Sequence, residues 1–485
     1  MLKRKNLRIL RNKVELIRFL TLLLIFSVAH LTIRAEVRLP SIFGHNMVLQ
    51  QQTKVAVWGK ATPGASVSVK TSWNGRTYNT RASSDGKWKL RVSTPSAGGP
   101  YTLTVSDGKP VTFKNVMIGE VWVCSGQSNM EMPMKGYLNQ PVLGSNEYIA
   151  TSSNNQIRLI TIPHAVSLIP LDDFQGEWKL CEPENVAEFS ATAYFFGLML
   201  NKVLNVPVGL ICASWGGTRI EPWMSEEGLK PFEWVKLPDK TEEVEKLSPS
   251  QTPTVLFNAM INPIVGYGIR GAIWYQGEAN RNEPVQYQKL MPGLALNWRA
   301  VWGVGEFPLY YVQIAPFDYG PAVNSAYLRE AQLKALTAIP NLGMACIMDT
   351  GEKDCIHPAN KKAAGDRLAY LALVKTYGKK GFACEGPVLK EMKVEGSMVY
   401  LTFNNAPNGL TSFGKTLSNF EVAGSNKRFY PAQAFITNTG ITLFSPAVTK
   451  PVAVRYAFKN FVVGDLFNTE GLPASSFRTD DWDMQ

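Results

Sequence analysis

Histidine is scarce in this chain, which has only four in 485 residues. They are His30, His45, His164 and His357. Zinc sites draw on clustered histidine, cysteine and carboxylate ligands, and the six cysteines lie far apart without the paired spacings of such sites. No metal ion is therefore expected.

Several nucleotide- and metal-binding motifs are also missing. The chain has no P-loop, no dinucleotide-binding fingerprint and no H-E-x-x-H pair. The G-x-S-x-G elbow of ordinary α/β-hydrolases is absent as well. We therefore expect no cofactor, and a site of another design.

Positive charge is concentrated at the start of the chain. Residues 1–35 contribute +7 of the formal net charge of +11. The remainder is close to neutral and has no basic cluster, so no nucleic acid is expected as a partner.

The same N-terminal segment has the organisation of a secretory signal peptide. A basic start is followed by an apolar core, Phe19 to Val28, and the chain turns polar at Ala35 and Glu36. The alternative is an uncleaved membrane anchor, but the apolar run is short for a span. Residues 1–35 are predicted to be a signal peptide, and the mature protein to be exported, periplasmic or secreted, with no membrane span.

Cysteine is expected to serve mainly as a small apolar residue. Cys124, Cys212 and Cys346 lie inside apolar, strand-like runs. Buried thiols are favoured there over disulfide halves, although an oxidising compartment would permit bridges.

The mature chain divides into three regions by pattern. Residues 36–113 contain short, often alternating strands between glycine-containing turns, which indicates a small β-sandwich. Residues 114–385 alternate apolar strands with longer amphipathic segments, which predicts a doubly wound α/β domain with a mostly parallel sheet. Residues 386–485 return to short strands and are predicted to form a C-terminal β domain.

A serine stands where one of the apolar strands ends abruptly. Val121 to Ser125 reads as a strand, and Gly126 to Asn129 has the small and turn-forming residues that stop one. Ligands collect outside the carboxyl ends of strands in such sheets, so Ser128 is a candidate nucleophile.

A base for Ser128 is offered by His357, which follows the last strand predicted for the same sheet. Asp354, three residues earlier, is the favoured group to orient the imidazole and stabilise its cation. Glu278 remains an alternative for that role, or a ligand for substrate hydroxyl groups. Taken alone, Asp354 and His357 are equally compatible with a helix entry.

Two further strand-end loops carry polar and glycine residues. In the loop at 213–219, Gly216 and Gly217 permit close approach of backbone N–H groups to a ligand. In the loop at 274–280, the Gln276 amide donates without adding charge, and Asn280 is a possible substrate contact. Arg219 is either a clamp for an acidic sugar or a structural partner of Glu221.

Four blocks of the sequence together resemble a known family. These blocks are similar to those of the sialate O-acetylesterases among the SGNH hydrolases. They are Gly126-Gln127-Ser128-Asn129-Met130, the 214–218 loop, Trp274-Tyr275-Gln276-Gly277-Glu278 and Asp354-Cys355-Ile356-His357-Pro358. The resemblance extends to the flanking β regions and covers nearly the whole mature chain.

The resemblance implies an SGNH-type α/β/α sandwich with flanking β-sandwich domains. It implies Ser128 as nucleophile and His357 as base, with the Ser128 N–H, the Gly217 N–H and the Gln276 side chain binding the oxyanion. Related acetylxylan esterases have a similar Gln-Gly-Glu block whose glutamate is the proposed third member in some of them, which keeps Glu278 open.

We therefore expect an exported serine esterase that removes O-acetyl groups from sugars, with O-acetylated sialic acids as the favoured substrates. Its partners would be an O-acetylated glycan and water. An acetylxylan esterase is the alternative within the same class, and a non-catalytic glycan-binding surface protein is the alternative outside it. The sequence carries no signal for an oligomeric state.

Overall fold

The computed structural model describes residues 10–11, 13–18 and 36–482. Most of the predicted signal peptide lies outside the described residues, and its eight described residues, 10–11 and 13–18, are helical and exposed. In the part of the chain that the structure covers, no helix has both the length and the apolar character needed to cross a membrane.

The N-terminal region is all-β and is joined to the next region by one long strand. Strand β7 pairs antiparallel with β6, β3 pairs with β4 and β6, β1 runs parallel to β7, and β2 pairs with β5. The strands are β1 Val48–Gln50, β2 Lys54–Lys60, β3 Ser66–Thr71, β4 Thr77–Arg81, β5 Lys87–Ser93, β6 Gly98–Ser106 and β7 Pro110–Gly126.

Strand β7 continues through the point where the sequence pattern changes. Its first half belongs to the N-terminal sheet, and its second half pairs parallel with two strands of the central sheet. The boundary expected between residues 113 and 114 thus lies within a continuous strand. Asn115, with φ of 56°, marks a local irregularity there and not an end.

The central sheet has seven strands in the order β13-β12-β11-β7-β10-β8-β9. All neighbours are parallel except β8 and β9. The strands added to β7 are β8 Asn154–Thr161, β9 Lys179–Cys181, β10 Val208–Ser214, β11 Gly271–Tyr275, β12 Leu309–Val312 and β13 Leu342–Ala345. Because these strands are buried on both faces, they read as apolar runs in the sequence.

Helices cover both faces of this sheet. Val121 and Val123 of β7 pack with the helices α6 and α7 in one core, and Trp122 and Cys124 pack with α4 and α8 in another. The helices are α1 Ser128–Glu131, α2 Ser145–Ala150, α3 Pro183–Glu188, α4 Ala191–Leu204, α5 Glu226–Leu229, α6 Pro284–Trp302, α7 Ala326–Ala335 and α8 Lys361–Leu371. The doubly wound α/β class predicted from the sequence is confirmed.

Short turns of other helix types connect these elements. Turns of 3-10 type lie at Glu221–Trp223, Val244–Lys246, Asn262–Ile264 and Glu278–Asn280, and π-type turns at Phe257–Ile261 and Ala372–Thr376. The Glu278–Asn280 turn directly follows β11 and therefore lies at the edge where the predicted site residues gather.

The C-terminal region forms two four-stranded antiparallel sheets that share one core. Their orders are β14-β15-β20-β19 and β18-β17-β21-β23, and β16 pairs with β22. The strands are β14 Val388–Glu395, β15 Met398–Asn404, β16 Leu410–Thr411, β17 Phe420–Ala423, β18 Phe429–Pro431, β19 Gln433–Thr437, β20 Gly440–Phe444, β21 Ala453–Tyr456, β22 Phe467–Asn468 and β23 Phe477–Arg478. The fully buried Arg329 of α7 contacts this region, donating to Ser476 Oγ at 3.1 Å.

All six cysteines are free thiols. Cys124 and Cys212 face each other in register on neighbouring strands, and both are buried. Burial raises the pKa of both thiols, so they remain protonated and behave as small apolar side chains.

Candidate active site

Ser128 is the first residue of helix α1, immediately after a sharp turn at the end of β7. The turn requires glycine at position 126, where φ is 142° and an added Cβ would lie 2.1 Å from the Tyr275 carbonyl oxygen. No hydrogen bond within residues 36–482 is donated by the Ser128 N–H, which starts the helix. The hydroxyl and its own N–H are therefore presented together at the carboxyl edge of the sheet.

His357 contacts Ser128 directly. Its Nε2 lies 2.7 Å from Ser128 Oγ, within the range of a strong hydrogen bond. The residue comes from the long loop between β13 and α8, which crosses back over the ends of β12 and β11 to reach β7. The Tyr137 ring contacts the imidazole in an edge-to-face arrangement, with a centroid distance of 5.4 Å.

The other imidazole nitrogen contacts Gln140, not Asp354. His357 Nδ1 lies 2.5 Å from Gln140 Oε1. Asp354 is exposed in the irregular 351–360 segment, and no hydrogen bond or ion pair of the described residues joins it to His357. The structure thus replaces the carboxylate expected at Nδ1 with a neutral amide.

The surroundings of His357 favour the neutral imidazole. Burial lowers the pKa of His357 to about 4, and the positive charge of Lys361 contributes in the same direction, against a smaller opposite effect of Glu131. A neutral ring with Nδ1–H donated to Gln140 leaves Nε2 free to accept the Ser128 proton. This is the state that a general base needs.

Glu278 lies beneath the site and does not contact His357. Its Oε1 accepts a hydrogen bond from Asn129 Nδ2 at 2.7 Å, and its Oε2 is buried without a partner. Asn129 Oδ1 in turn accepts from Lys361 Nζ at 2.5 Å. Burial raises the pKa of Glu278 and lowers that of Lys361 to about 7. Asn129, next to the nucleophile, thus links α1 to the turn after β11 and to the start of α8 through two buried ionisable groups.

The loop after β10 lies beside Ser128, since a Cβ at Gly216 would be 3.3 Å from Ser128 Cβ, and Gly217 lines the same pocket. Gly216 N–H donates to Glu131 Oε2 at 2.6 Å, and Glu131 Oε1 lies 2.8 Å from His164 Nε2. A Cβ at Gly216 would lie 3.0 Å from Glu131 Oε2, so a larger residue would push the loop away. The Gly217 N–H makes no hydrogen bond within residues 36–482 and remains available to a ligand.

Gln276 is placed away from the reacting groups. It is fully buried, and its Nε2 donates to Thr218 O at 3.1 Å and to Asn280 Oδ1 at 2.8 Å. Asn280 is also buried and donates to Glu221 Oε2 at 3.1 Å. These two residues hold the β10 and β11 loops together, and the geometry leaves neither amide directed at a substrate.

Arg219 is a structural residue in this arrangement. Its guanidinium bonds to Glu221 Oε1 at 2.6 Å and also to Glu283. With two carboxylates already bound, it has no donor pair left for an acidic sugar, and it does not line the pocket. Of the two roles considered from the sequence, the structure favours the ion pair with Glu221.

A pocket of about 560 Å³ opens above Ser128, a volume typical of small-molecule sites. Gln127 lines it with its Oε1 held by the Gly277 and Ala279 N–H groups, at 3.3 and 3.2 Å. The lining residues are Gln127, Ser128, Glu131, Tyr137, Gly216, Gly217, Glu278, Ala279, Arg281, Ile356 and His357. Within the described residues, no group of three or more histidine, cysteine or acidic side chains is arranged to hold a metal ion.

Four residues near the site had not been singled out as members of it from the sequence: Glu131, Gln140, Arg281 and Lys361. Glu131 follows the serine block directly, so its nearness could have been inferred from the length of one helical turn. Gln140 comes from a segment with no periodic pattern, and no signal marks it. Arg281 and Lys361 each lie three residues beyond the end of a recognised block.

Comparison with protein families gives a match over residues 118–373, more than half of the chain, to the model described as carbohydrate esterase, sialic acid-specific acetylesterase. The chain belongs to this family. The family resemblance seen in the sequence is thus confirmed, and with it the assignment of the chain as a carboxylic ester hydrolase of the carbohydrate esterases.

Relatives of this esterase extend over most of its length. The mouse protein named sialate O-acetylesterase is 28% identical over 489 residues, covering 87% of this chain and 89% of the relative. The human protein of the same name is 29% identical, covering 74% of each chain. The crystal structure of XAC1771, a carbohydrate acetylesterase from Xanthomonas citri, is 34% identical with a TM-score of 0.84, covering 92% of this chain and 100% of that one.

Proposed function

We propose that this esterase hydrolyses sugar O-acetyl groups through an acetyl-enzyme on Ser128, with His357 as the base. The observation that carries the proposal is the 2.7 Å contact between Ser128 Oγ and His357 Nε2 at the floor of an open pocket. Nucleophile and base within hydrogen-bond reach, with the base held by a third group, is the arrangement that activates a serine.

Each step of the proposed reaction uses groups in contact. His357 Nε2 takes the proton as Ser128 Oγ attacks the acetyl carbonyl carbon, and it then gives that proton to the departing sugar oxygen. Water next attacks the acetyl-enzyme, loses a proton to His357, and releases acetate as Ser128 regains its hydrogen. Gln140 keeps the proton of the neutral ring on Nδ1, so that Nε2 is the basic nitrogen.

The oxyanion would be bound by backbone N–H groups. The Ser128 and Gly217 N–H groups lie on the pocket wall without acceptors in the described chain. Both are fixed by local structure, Ser128 by the start of α1 and Gly217 by the loop that Glu131 anchors. Fixed donors that need no rearrangement are the main source of stabilisation for such intermediates.

The test of this scheme is the Ser128→Ala variant, assayed with 4-nitrophenyl acetate. We expect kcat to fall by about 10³-fold or more, since no other group supplies the nucleophile. Ser125→Ala is the matched control: Ser125 is fully buried three residues earlier and its Oγ has no partner, so its removal leaves turnover unchanged. Undiminished turnover by Ser128→Ala would refute the scheme.

For the substrate, we propose O-acetylated sialic acids. Support comes from the family model and from the names of the mouse and human relatives. An acetylated plant polysaccharide such as xylan is the alternative, since XAC1771 is described only as a carbohydrate acetylesterase. Acetate release from O-acetylated mucin, measured beside release from acetylated xylan, decides between them.

A non-catalytic glycan-binding role is the competing function of another class. A pure binder has no need for a serine hydroxyl in contact with a histidine of lowered pKa. A serine-directed phosphonate that adds its mass to the peptide carrying Ser128 supports the enzyme; an unmodified peptide supports the binder.

Export completes the proposed function and rests on the basic and apolar pattern of residues 1–35. Expression of the full chain in a Gram-negative host, followed by mass analysis of the protein, is the test. A product that begins near Glu36 outside the cytoplasm is expected, and a full-length product retained in the cytoplasm would contradict export.

A further inference from the structure

The charged groups that line the catalytic pocket are not equally committed to neighbours. Glu131 accepts the Gly216 N–H through one oxygen and faces His164 with the other. Glu278 is buried and bound by Asn129. Arg281 is the remaining charged residue of the lining, and no ion pair in the part of the chain that the structure describes includes it.

Two other arginines of the catalytic region are paired with carboxylates, whereas the buried Arg329 is bound, within the described residues, only by hydroxyl and carbonyl oxygens. Arg219 binds Glu221 and Glu283, and Arg367 bonds to both oxygens of Asp349 at 2.6 and 2.7 Å. Arg281 makes one hydrogen bond, from Nη1 to the Glu278 carbonyl oxygen at 3.0 Å, and its Nε has no partner. No carboxylate of the described residues forms a direct ion pair with its guanidinium.

Two contacts orient the Arg281 guanidinium without cancelling its charge. The Tyr319 ring lies under it, with 4.8 Å from Cζ to the ring centroid. The backbone carbonyl of Glu278 fixes one end of the group. Nε is buried without a partner, and Nη2 makes no hydrogen bond within the described residues. The planar guanidinium thus keeps unused donors for a carboxylate, and its orientation on an aromatic face reduces the entropy lost on binding.

The Glu278 carboxylate is the acidic group that shares the pocket wall with Arg281. The positive charge of Arg281 favours its ionised form, but burial has the larger effect and raises the pKa of Glu278. The two side chains are joined only through the Glu278 backbone, not through the carboxylate. An anionic ligand in the pocket would thus meet an unneutralised arginine beside a carboxylate shielded by Asn129.

We propose that Arg281 binds the carboxylate of the substrate sugar and so selects acidic over neutral acetylated sugars. The proposal rests on the proposed function of Ser128 as the nucleophile of a sialate esterase. It gives Arg281 the role of binding an acidic sugar, which is one of the two roles considered for Arg219 in the sequence. Arg281 is a binding residue for the sugar carboxylate and takes no part in proton transfer.

The experiment compares Arg281→Gln with the wild type on three esters: an O-acetylated sialic acid, the methyl ester of the same sugar, and 4-nitrophenyl acetate. Loss of a charged hydrogen-bond partner is expected to raise KM for the free acid by about ten- to hundred-fold with little change in kcat. KM for the methyl ester and turnover of 4-nitrophenyl acetate should stay within about two-fold of the wild-type values, a change smaller than the loss of one hydrogen bond would cause.

Two further variants separate recognition from other effects. Arg281→Lys keeps the charge but loses the planar fork, so it should recover part of the preference for the free acid. Lys353→Gln removes one positive charge from the exposed loop that leads to His357, outside the pocket lining, and should leave that preference unchanged. Thermal unfolding of all variants checks that the fold is retained.

The outcomes distinguish this proposal from the proposed function. Equal rises in KM for the free acid and its methyl ester, or a loss of 4-nitrophenyl acetate turnover in Arg281→Gln, would overturn the role of Arg281 alone. A wild type that cleaves 4-nitrophenyl acetate but no sialic acid ester would overturn the proposed substrate. In that case the O-acetylated sialic acid and its methyl ester are replaced by an acetylated uronic acid and its methyl ester. Equal KM values of wild type and Arg281→Gln for the uronic acid would then overturn the proposal that Arg281 binds a sugar carboxylate.

Discussion

His357 combines a neutral hydrogen-bond partner with a strongly lowered pKa. A carboxylate at Nδ1 would stabilise the imidazolium, whereas the Gln140 amide oxygen fixes the tautomer without supplying charge. Together with burial and Lys361, this gives a base that stays unprotonated well below neutral pH. The proposed enzyme thus keeps its base ready in acid, at the expense of a less stabilised cation during the reaction.

The contribution of Lys361 to the lowered pKa of His357 can be tested through the pH profile of the enzyme. Lys361 is the first residue of α8, is 1% exposed, and its charge helps to lower the pKa of His357. His357 acts as a neutral base, so activity is lost as pH falls through its pKa, near 4 in the wild type. In Lys361→Met the acid limb of kcat/KM should move upward toward 6.5, the ordinary value, without reaching it, because burial remains.

The neighbouring Lys362 provides the control for that measurement. It lies on the same helix, is partly exposed and is paired with Asp366. Lys362→Met should therefore leave the acid limb near its wild-type position. An acid limb that does not move in Lys361→Met, in a protein that still folds, would show that the lysine charge does not act on His357.

At the residue scale, short motifs carry most of what can be predicted. Ser128 and His357 each follow a strand of one parallel sheet, and strand ends of such a sheet share an edge, so their proximity is predictable from the sequence. Gln140 is not predictable, because it lies in an irregular segment 217 residues before its partner in the chain. The local spacing of Asp354 suggested a contact that the irregular backbone of its loop does not make.

At the element scale, helix α1 and the loop after β10 act as one unit. The helix carries Ser128 at its start and Glu131 at its end, and Glu131 fixes the loop through the Gly216 N–H. The stacking of His164 on Trp215, at a centroid distance of 4.1 Å, supports the same loop. The position of the Gly217 N–H relative to Ser128 therefore depends in part on the Glu131 carboxylate.

This dependence predicts different effects for two substitutions at Glu131. Glu131→Ala removes the acceptor of the Gly216 N–H and releases the loop. It should lower kcat for 4-nitrophenyl acetate by about ten- to hundred-fold with a small change in KM. This decrease in kcat is somewhat smaller than the decrease caused by the loss of an oxyanion donor itself. Glu131→Gln keeps an oxygen for the Gly216 N–H and should retain most of the activity. Glu188→Gln, at an exposed carboxylate paired with Lys135, is the control. Equal losses in both Glu131 variants would argue against positioning through this hydrogen bond.

The strands of the central region were predictable because their apolar runs stand out clearly in the sequence. The apolar runs at 121–125, 208–213 and 269–275 predicted from the sequence correspond to the end of β7, to β10 and to β11. The roles of Gln276 and Asn280 were not predictable, because an amide beside a strand end can bind either a ligand or a neighbouring loop. Burial decides between these alternatives, and burial is a property of the assembled fold.

At the scale of the whole molecule, β7 makes the N-terminal sheet and the catalytic sheet parts of one structure. The sequence pattern changes near residue 115 and suggested separate modules, but a change of period does not distinguish the end of a strand from its passage into a second sheet. Gln50 of β1 strengthens this connection, since its Oε1 accepts from Val121 N at 2.9 Å and its Nε2 donates to Glu120 Oε2 at 3.1 Å. Both partners lie on the half of β7 that leads to Ser128.

The shared strand predicts that the two regions unfold together. In urea, tryptophan fluorescence, far-UV circular dichroism and esterase activity should report one coincident transition. Gln50→Ala should lower the free energy of unfolding by about 1–3 kcal/mol in that same transition, because it leaves the buried Val121 N–H without an acceptor. Lys54→Ala, at an exposed position of β2, should have little effect. A different result would be loss of activity at a lower urea concentration than the circular dichroism signal, with Gln50→Ala shifting only the circular dichroism transition. The N-terminal sheet would then be an independent unit that β7 does not couple to the active site.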